Sequence, residues 1–148
     1  FIHETNKIRF PMILTNNKSF RSHKVVNSYH VHLYYNGKTK KYAGDIRREM
    51  ARRFKGRIEI GRWRDKAPQG PHAVSHFQVA FPSSVFNEVV PFLALNRGDL
   101  NILLHPNTGN GYDDHTKHVM WIGPSIPLAQ DWLKRNEKET AGKIPVVK

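Results

Sequence analysis

Apolar and polar residues alternate over "YHVHLYY" (29–35) and over "HFQVAF" (76–81), the two-residue period of half-buried strands. Between 39 and 54 the period lengthens. Tyr42, Ile46, Met50 and Phe54 recur every four residues, which predicts a helix with arginines on its far side and Gly56 closing it. "RIEIGRW" (57–63) reads as a further strand, and "DKAPQGPHAVS" (65–75), punctuated by proline and glycine, as a loop. Val85, Phe86, Val89, Val90 and Leu93 predict a second helix near 83–96, with Ser83 or Ser84 as its cap. "DLNILLH" (99–105) is the next strand and "HVMWIG" (118–123) a short fifth, and a last helix is expected over "LAQDWLKR". Residues 1–28 form an N-terminal arm, in which Phe10, Met12, Ile13 and Leu14 make a short strand or simply pack. The domain proper runs from 29 to 135, and 136–148 is a loose tail.

The order strand, helix, strand, strand, helix, strand is that of the α+β ferredoxin-like plait, a four-stranded antiparallel sheet with two helices on one face. Alternation then assigns the faces. Val31, Leu33, Tyr35, Ile58, Ile60, Phe77, Val79, Phe81, Leu100, Ile102 and Leu104 turn toward the helices. The open face carries His30, His32, Tyr34, Glu59, His76, Gln78, Asn101 and His105. In a sheet ordered 4-1-3-2 the start of strand one lies beside the end of strand four, so His30 and His105 become neighbours, with His32 one pleat further along. Residues two apart on one face are about 6.5–7 Å apart, a spacing at which two imidazoles converge on one ion. Imidazole is the common ligand for iron, zinc and copper, and His30, His32 and His105 are the candidate metal set. His115 and His118 leave from the same end of the sheet. His72 sits on a loop long enough to fold over the open face. His76 is placed at the opposite sheet end as a structural residue, and His3 and His23 at the surface. Beyond His105, Pro106 stops regular strand pairing, and Gly109 and Gly111 let the chain fold back.

Composition narrows the functions available. A chain of 148 residues supports one domain and one core. It has no cysteine, which excludes disulfides, zinc–thiolate sites and thiol catalysis. No apolar run is long enough to span a membrane. The chain opens on Phe1, so a trimmed or processed N-terminus is expected, and the expected location is cytoplasmic. The net charge of +12 admits an RNA-binding plait as the alternative function, but that reading needs exposed aromatic residues on the central strands, and only Tyr34 qualifies. The basic residues are better read as a solvated surface than as a specific nucleic-acid site. A ligand-binding module without turnover, holding zinc, is the third reading. Open plait faces often pair, so a homodimer is expected.

"YHVHLYY", "GPH", "HFQVAF" and above all "NRGDLNILLHPNTGNGYDDHTKHVMWIG" resemble the DOPA 4,5-dioxygenase family over roughly residues 28–133. One departure is Ala73, where the family usually has proline after Gly-Pro-His. The resemblance implies an extradiol enzyme that opens a catechol ring with dioxygen at non-haem Fe(II), for which zinc substitutes in a purified sample. It implies His30, His32 and His105 as ligands, and His115 and His118 as acid–base groups oriented by Asp114. His72, Tyr34 and Arg62 are the expected substrate-binding residues, with Arg64 as a further candidate for holding an amino-acid carboxylate.

Overall fold

The computed structural model describes residues 20–137. Most of the expected arm, including Phe10 to Leu14 and His3, and the end of the tail lie outside these residues. The elements are β1 (Ser28–Tyr34), α1 (Lys40–Arg53), β2 (Glu59–Ile60), β3 (His76–Pro82), α2 (Phe86–Asn96), β4 (Asn101–Pro106), α3 (Gly111–Thr116), β5 (Met120–Ile122) and α4 (Gln130–Arg135). The sheet order is β2-β3-β1-β4-β5, with every paired neighbour antiparallel. This is the ferredoxin-like plait with a fifth strand added at the β4 edge. The helix-side residues expected from alternation form the core: Val31, Leu33, Phe77, Val79, Phe81 and Ile102 are fully buried, packed with Met50 of α1 and Val89 and Leu93 of α2.

Local chemistry explains where elements begin and where they depart from the sequence pattern. The Asn36 side chain accepts from the amides of Lys38 and Thr39, which shapes the turn into α1. Tyr42 fits the apolar period of α1 but is 42% exposed. Its hydroxyl donates to the Asn96 carbonyl, and its ring covers Gly98, whose φ of +55° suits glycine. Neither Ser83 nor Ser84 caps α2. A 3-10 turn, Ser83–Val85, precedes that helix, and the Ser83 hydroxyl donates instead to Val26 at 2.7 Å, which ties down the chain before β1.

β2 is shorter than its apolar pattern. Ile60 pairs with Val79, but the next bridge joins Arg64 to His76. Four residues of advance on one strand therefore answer three on the other, the signature of a bulge. The offset turns Trp63 onto the core, where it packs edge-on to Tyr35 and Phe77.

The face expected to be open is covered. Leu103, on the histidine side, is fully buried. The 65–75 loop folds across it and is pinned by Leu128 and Ala129, through a bridge to His72 and an amide bond to Pro71. The segment after Pro106 is a helix, α3, where a loop was expected. The Asn110 side chain accepts from the Asp113 amide and caps it. Gly109 takes the positive φ of +90° that the turn needs, whereas Gly111 is an ordinary helical residue. The homodimer expectation rested on an open face, and the molecule covers that face with its own chain.

Candidate metal centre

The register of β1 and β4 sets His30 directly opposite His105, as the topology argument requires, with His32 opposite Leu103. The loop adds His72, β3 adds His76 and α3 adds His115. Six of the nine histidines are thus buried together. Ring centroids lie 5.2 Å apart for His30 and His105, 5.6 Å for His32 and His105, 4.2 Å for His105 and His115, and 4.3 Å for His32 and His72. His76 is no remote structural residue. Its ring sits 4.2 Å from His72 and 5.3 Å from His32, because the covering loop brings His72 down onto it.

Two triads have ring nitrogens all within 4.8 Å of one another: His30, His32 and His105, and His32, His72 and His115. His32 belongs to both. Hydrogen bonding says which nitrogens are free to act. His105 Nδ1 donates to the Pro106 carbonyl at 2.9 Å, leaving Nε2 as a buried lone pair without a protein partner. His115 Nδ1 likewise donates to the Gly111 carbonyl at 2.7 Å, which makes its Nε2 the acceptor nitrogen. Neither ring nitrogen of His32 has a protein partner, although the residue is 3% exposed. Leaving buried polar atoms unpaired costs about 1–3 kcal/mol each, so such a concentration calls for a ligand. A metal ion fits the donor set.

The electrostatics suit that reading. Burial lowers the pKa of His30 to about 4, with the neighbouring His115 adding to the shift and Asp114 opposing it. Burial drives His32 and His105 well below the usual imidazole range, and the other histidines push in the same direction. Burial also lowers His76 to about 4, and His115 is lowered by the same cause. These rings are neutral near pH 7, which is the ligating form.

The remaining expected residues divide. Tyr34 is 2% exposed, its hydroxyl lies 2.7 Å from His72 Nδ1, and its ring stacks on Trp121. A residue so buried is not the exposed stacking platform that RNA recognition requires. Asp114 is fully buried and accepts from the Thr108 amide and hydroxyl at 2.9 and 2.6 Å, and it lies 3.2 Å from His118 Nδ1. His118 is half-buried at the outer side of that carboxylate, and no ring contact joins it to the six. Arg62 is exposed, whereas Arg64 bonds Gln69, which pairs with His72. His76 and Trp121 are the residues that alternation alone undervalued. Pairing of Tyr34 with His76 and of Leu103 with Trp121 puts both on the histidine side.

An antiparallel plait that buries six convergent histidines has, in that cluster, ring nitrogens that could hold a metal ion. The chain belongs to the Dopa 4,5-dioxygenase family, which it matches over residues 29–132. It is 34% identical over 125 residues to an uncharacterized 21.2 kDa protein of Botryotinia fuckeliana, covering 77% of this chain and 67% of that one. It is 46% identical over 61 residues to the DOPA 4,5-dioxygenase of Amanita muscaria, a match spanning 41% of this chain and 27% of the enzyme. A crystal structure from Nostoc punctiforme, described as that of a candidate dioxygenase, superposes with a TM-score of 0.75 at 35% identity, covering 78% of this chain and 98% of the other. Family and fold together make the chain a dioxygenase. No helix among the described residues is long and apolar enough to cross a membrane.

Proposed function

We propose that this dioxygenase cleaves a catechol ring in the extradiol manner at a non-haem Fe(II) held by His30, His32 and His105. The observation that carries the reading is the set of unpaired buried nitrogens, both of His32 and Nε2 of His105, in a triad where one ring nitrogen each from His30, His32 and His105 lie within 4.8 Å of one another. His30, His32 and His105 would hold the iron, and the ion would supply the chemistry that brings a catechol and dioxygen together.

The chain's own residues do the rest. His115 Nε2, held in place by the Nδ1 bond to Gly111, takes a catechol proton and returns one later. His118 is the second proton carrier, oriented through Nδ1 by Asp114, which is itself fixed by two bonds from Thr108. Tyr34 and His72 form a hydrogen-bonded wall against which the ring lies, with Trp121 stacked behind Tyr34. The covering loop and α3 keep water from the reacting atoms.

The test is anaerobic loading with Fe(II), addition of a catechol, and admission of air. Oxygen uptake in step with a ring-opened, visibly absorbing product is expected. Iron binding without oxygen uptake by any catechol would leave a ligand-binding module instead.

A further inference from the structure

None of the six clustered histidines is more than 9% exposed, too little for a ring-sized ligand to reach them through the closed fold. Part of the cover therefore opens, and its parts are not held alike. The 65–75 loop is fastened at its base. The Tyr35 amide donates to the Ser75 carbonyl at 3.0 Å, and the Ser75 hydroxyl donates to the Asp65 carbonyl at 2.9 Å. The Asp65 carboxylate accepts from Tyr35 at 2.7 Å and pairs with Lys40 at 2.8 Å. Arg64 and His76 exchange backbone bonds at 2.8 and 3.3 Å. These contacts tie the base to the sheet and to α1.

The tip of the loop, 69–72, is a turn in which Gln69 and His72 exchange backbone bonds at 2.9 and 3.1 Å. From outside it is held by the segment 124–135. His72 bridges to Leu128, and the Ala129 amide donates to the Pro71 carbonyl at 3.0 Å. The Trp132 ring lies over Gly70, where an added Cβ would stand 3.4 Å from it. The same segment reaches the second cover, because Lys134 Nζ sits 5.9 Å from the centre of the Tyr112 ring of α3. One piece of chain thus rests on both covers. It is also lightly built. α3 has the Asn110 cap and the buried Asp114, whereas α4 has six residues, no side-chain bond from its cap residue Ala129, and Leu133 alone buried. Local opening is drawn from elements with few buried contacts of their own.

We infer that residues 124–135 form a strap that lifts from the loop tip to admit ligands to the histidine chamber, with α4 as its moving part and Leu133 as its seat. The inference rests on the enclosure of the histidines and not on the identity of the metal or the substrate.

The chain has no cysteine, so a pair introduced as Pro71→Cys and Ala129→Cys can bond only to each other within one molecule. Opposed residues of a hydrogen-bonded antiparallel pair have Cα atoms about 5.5 Å apart, a span that a disulfide closes. The first readout is the initial rate at which diethylpyrocarbonate modifies each histidine of the metal-free protein, followed by mass spectrometry. The second is oxygen uptake by the iron-loaded protein with 4-methylcatechol. The reduced pair should behave as wild type. Oxidation should slow modification of the six buried histidines about 10-fold or more, leave the exposed His23 unchanged and stop oxygen uptake, and a reductant should restore both. Trp132→Ala, which takes the ring off Gly70, should act in the opposite sense and speed their modification about 10-fold. Equal modification of the buried histidines in the oxidised and reduced pair would overturn the inference, as would full oxygen uptake by the oxidised pair. If the pair failed to fold or to bond, an unchanged rate in Trp132→Ala would overturn it equally. Slowed modification on oxidation, with no oxygen uptake by wild type or by either form of the pair, would keep the strap and count against the catechol reading.

Discussion

At the scale of single residues, position within the cluster predicts distinct failures. His105 presents one buried lone pair and has its other nitrogen fixed by Pro106. His105→Ala should lose iron and oxygen uptake together. His118 lies outside the ring cluster, so His118→Ala should keep its iron and slow turnover by about 10²- to 10⁴-fold, the usual weight of a proton-transfer group. Metal content and oxygen uptake measured on the same preparations check both, and iron lost from the His118 variant alone would exchange the two roles. Because His32 belongs to both triads, His30→Ala and His72→Ala tell them apart. Iron should leave the first variant and stay in the second. Much of this was legible in the sequence. His30 beside His105, with His32 one pleat away, follows from strand order and a two-residue period. The face of His76 was legible but its place in the cluster was not, because that depends on the loop that lowers His72 onto it. Arg64 was not legible for a similar reason: a one-residue bulge sets it opposite His76, and no apolar pattern records it.

At the scale of elements, the site depends on short pieces with little packing of their own. α3 has six residues, too few to hold its shape without support. Its anchors are the Asn110 cap and Asp114, whose carboxylate satisfies two donors on Thr108. The sequence signalled a turn at Pro106 to Gly109 but not the helix, because six residues give less than two full periods to read. Asn110→Ala should destabilise the protein by about 1 kcal/mol through the lost cap. Asp114→Ala should cost more, about 1–3 kcal/mol, because it leaves buried donors on Thr108 unpaired. Urea unfolding of the metal-free proteins gives both values. A smaller loss for Asp114→Ala than for Asn110→Ala would show that water replaces the carboxylate and that α3 is less enclosed than its burial indicates. The first helix makes the complementary point. Gly98 carries a positive φ, and a Cβ there would come within 2.6 Å of the Tyr42 ring. Its role belongs to the link between α1 and α2 and not to the site.

At the scale of the whole molecule, one face of the sheet is an ordinary apolar core and the other a buried polar cluster, so the fold itself is sensitive to acid. Burial lowers His30 and His76 to about 4, below the roughly 6.5 expected of an unfolded chain. Between those values the unfolded chain binds more protons than the folded one, and stability therefore falls as pH falls. The stabilisation is fully present above about pH 6.5 and is lost progressively toward pH 4, by about 1.4 kcal/mol per pH unit for each histidine kept neutral by the fold. On the proposed reading a divalent metal takes the same neutral rings, so saturating Zn(II), chosen because it has no redox chemistry, should raise the melting temperature at pH 7.5 and lose that effect as the rings protonate. Thermal melts of the metal-free protein from pH 8.5 to 4 should be flat above about 7 and fall steeply below 6.5. Exposed carboxylates also titrate near pH 4, so the comparison that isolates the cluster is His76→Gln, which should make the fall shallower between 6.5 and 5. A melting temperature that stayed constant from pH 6.5 to 5 in the wild type would mean that the six rings take up protons without leaving the folded state. The cluster would then be open to water, and the enclosed site on which the dioxygenase chemistry depends would not exist.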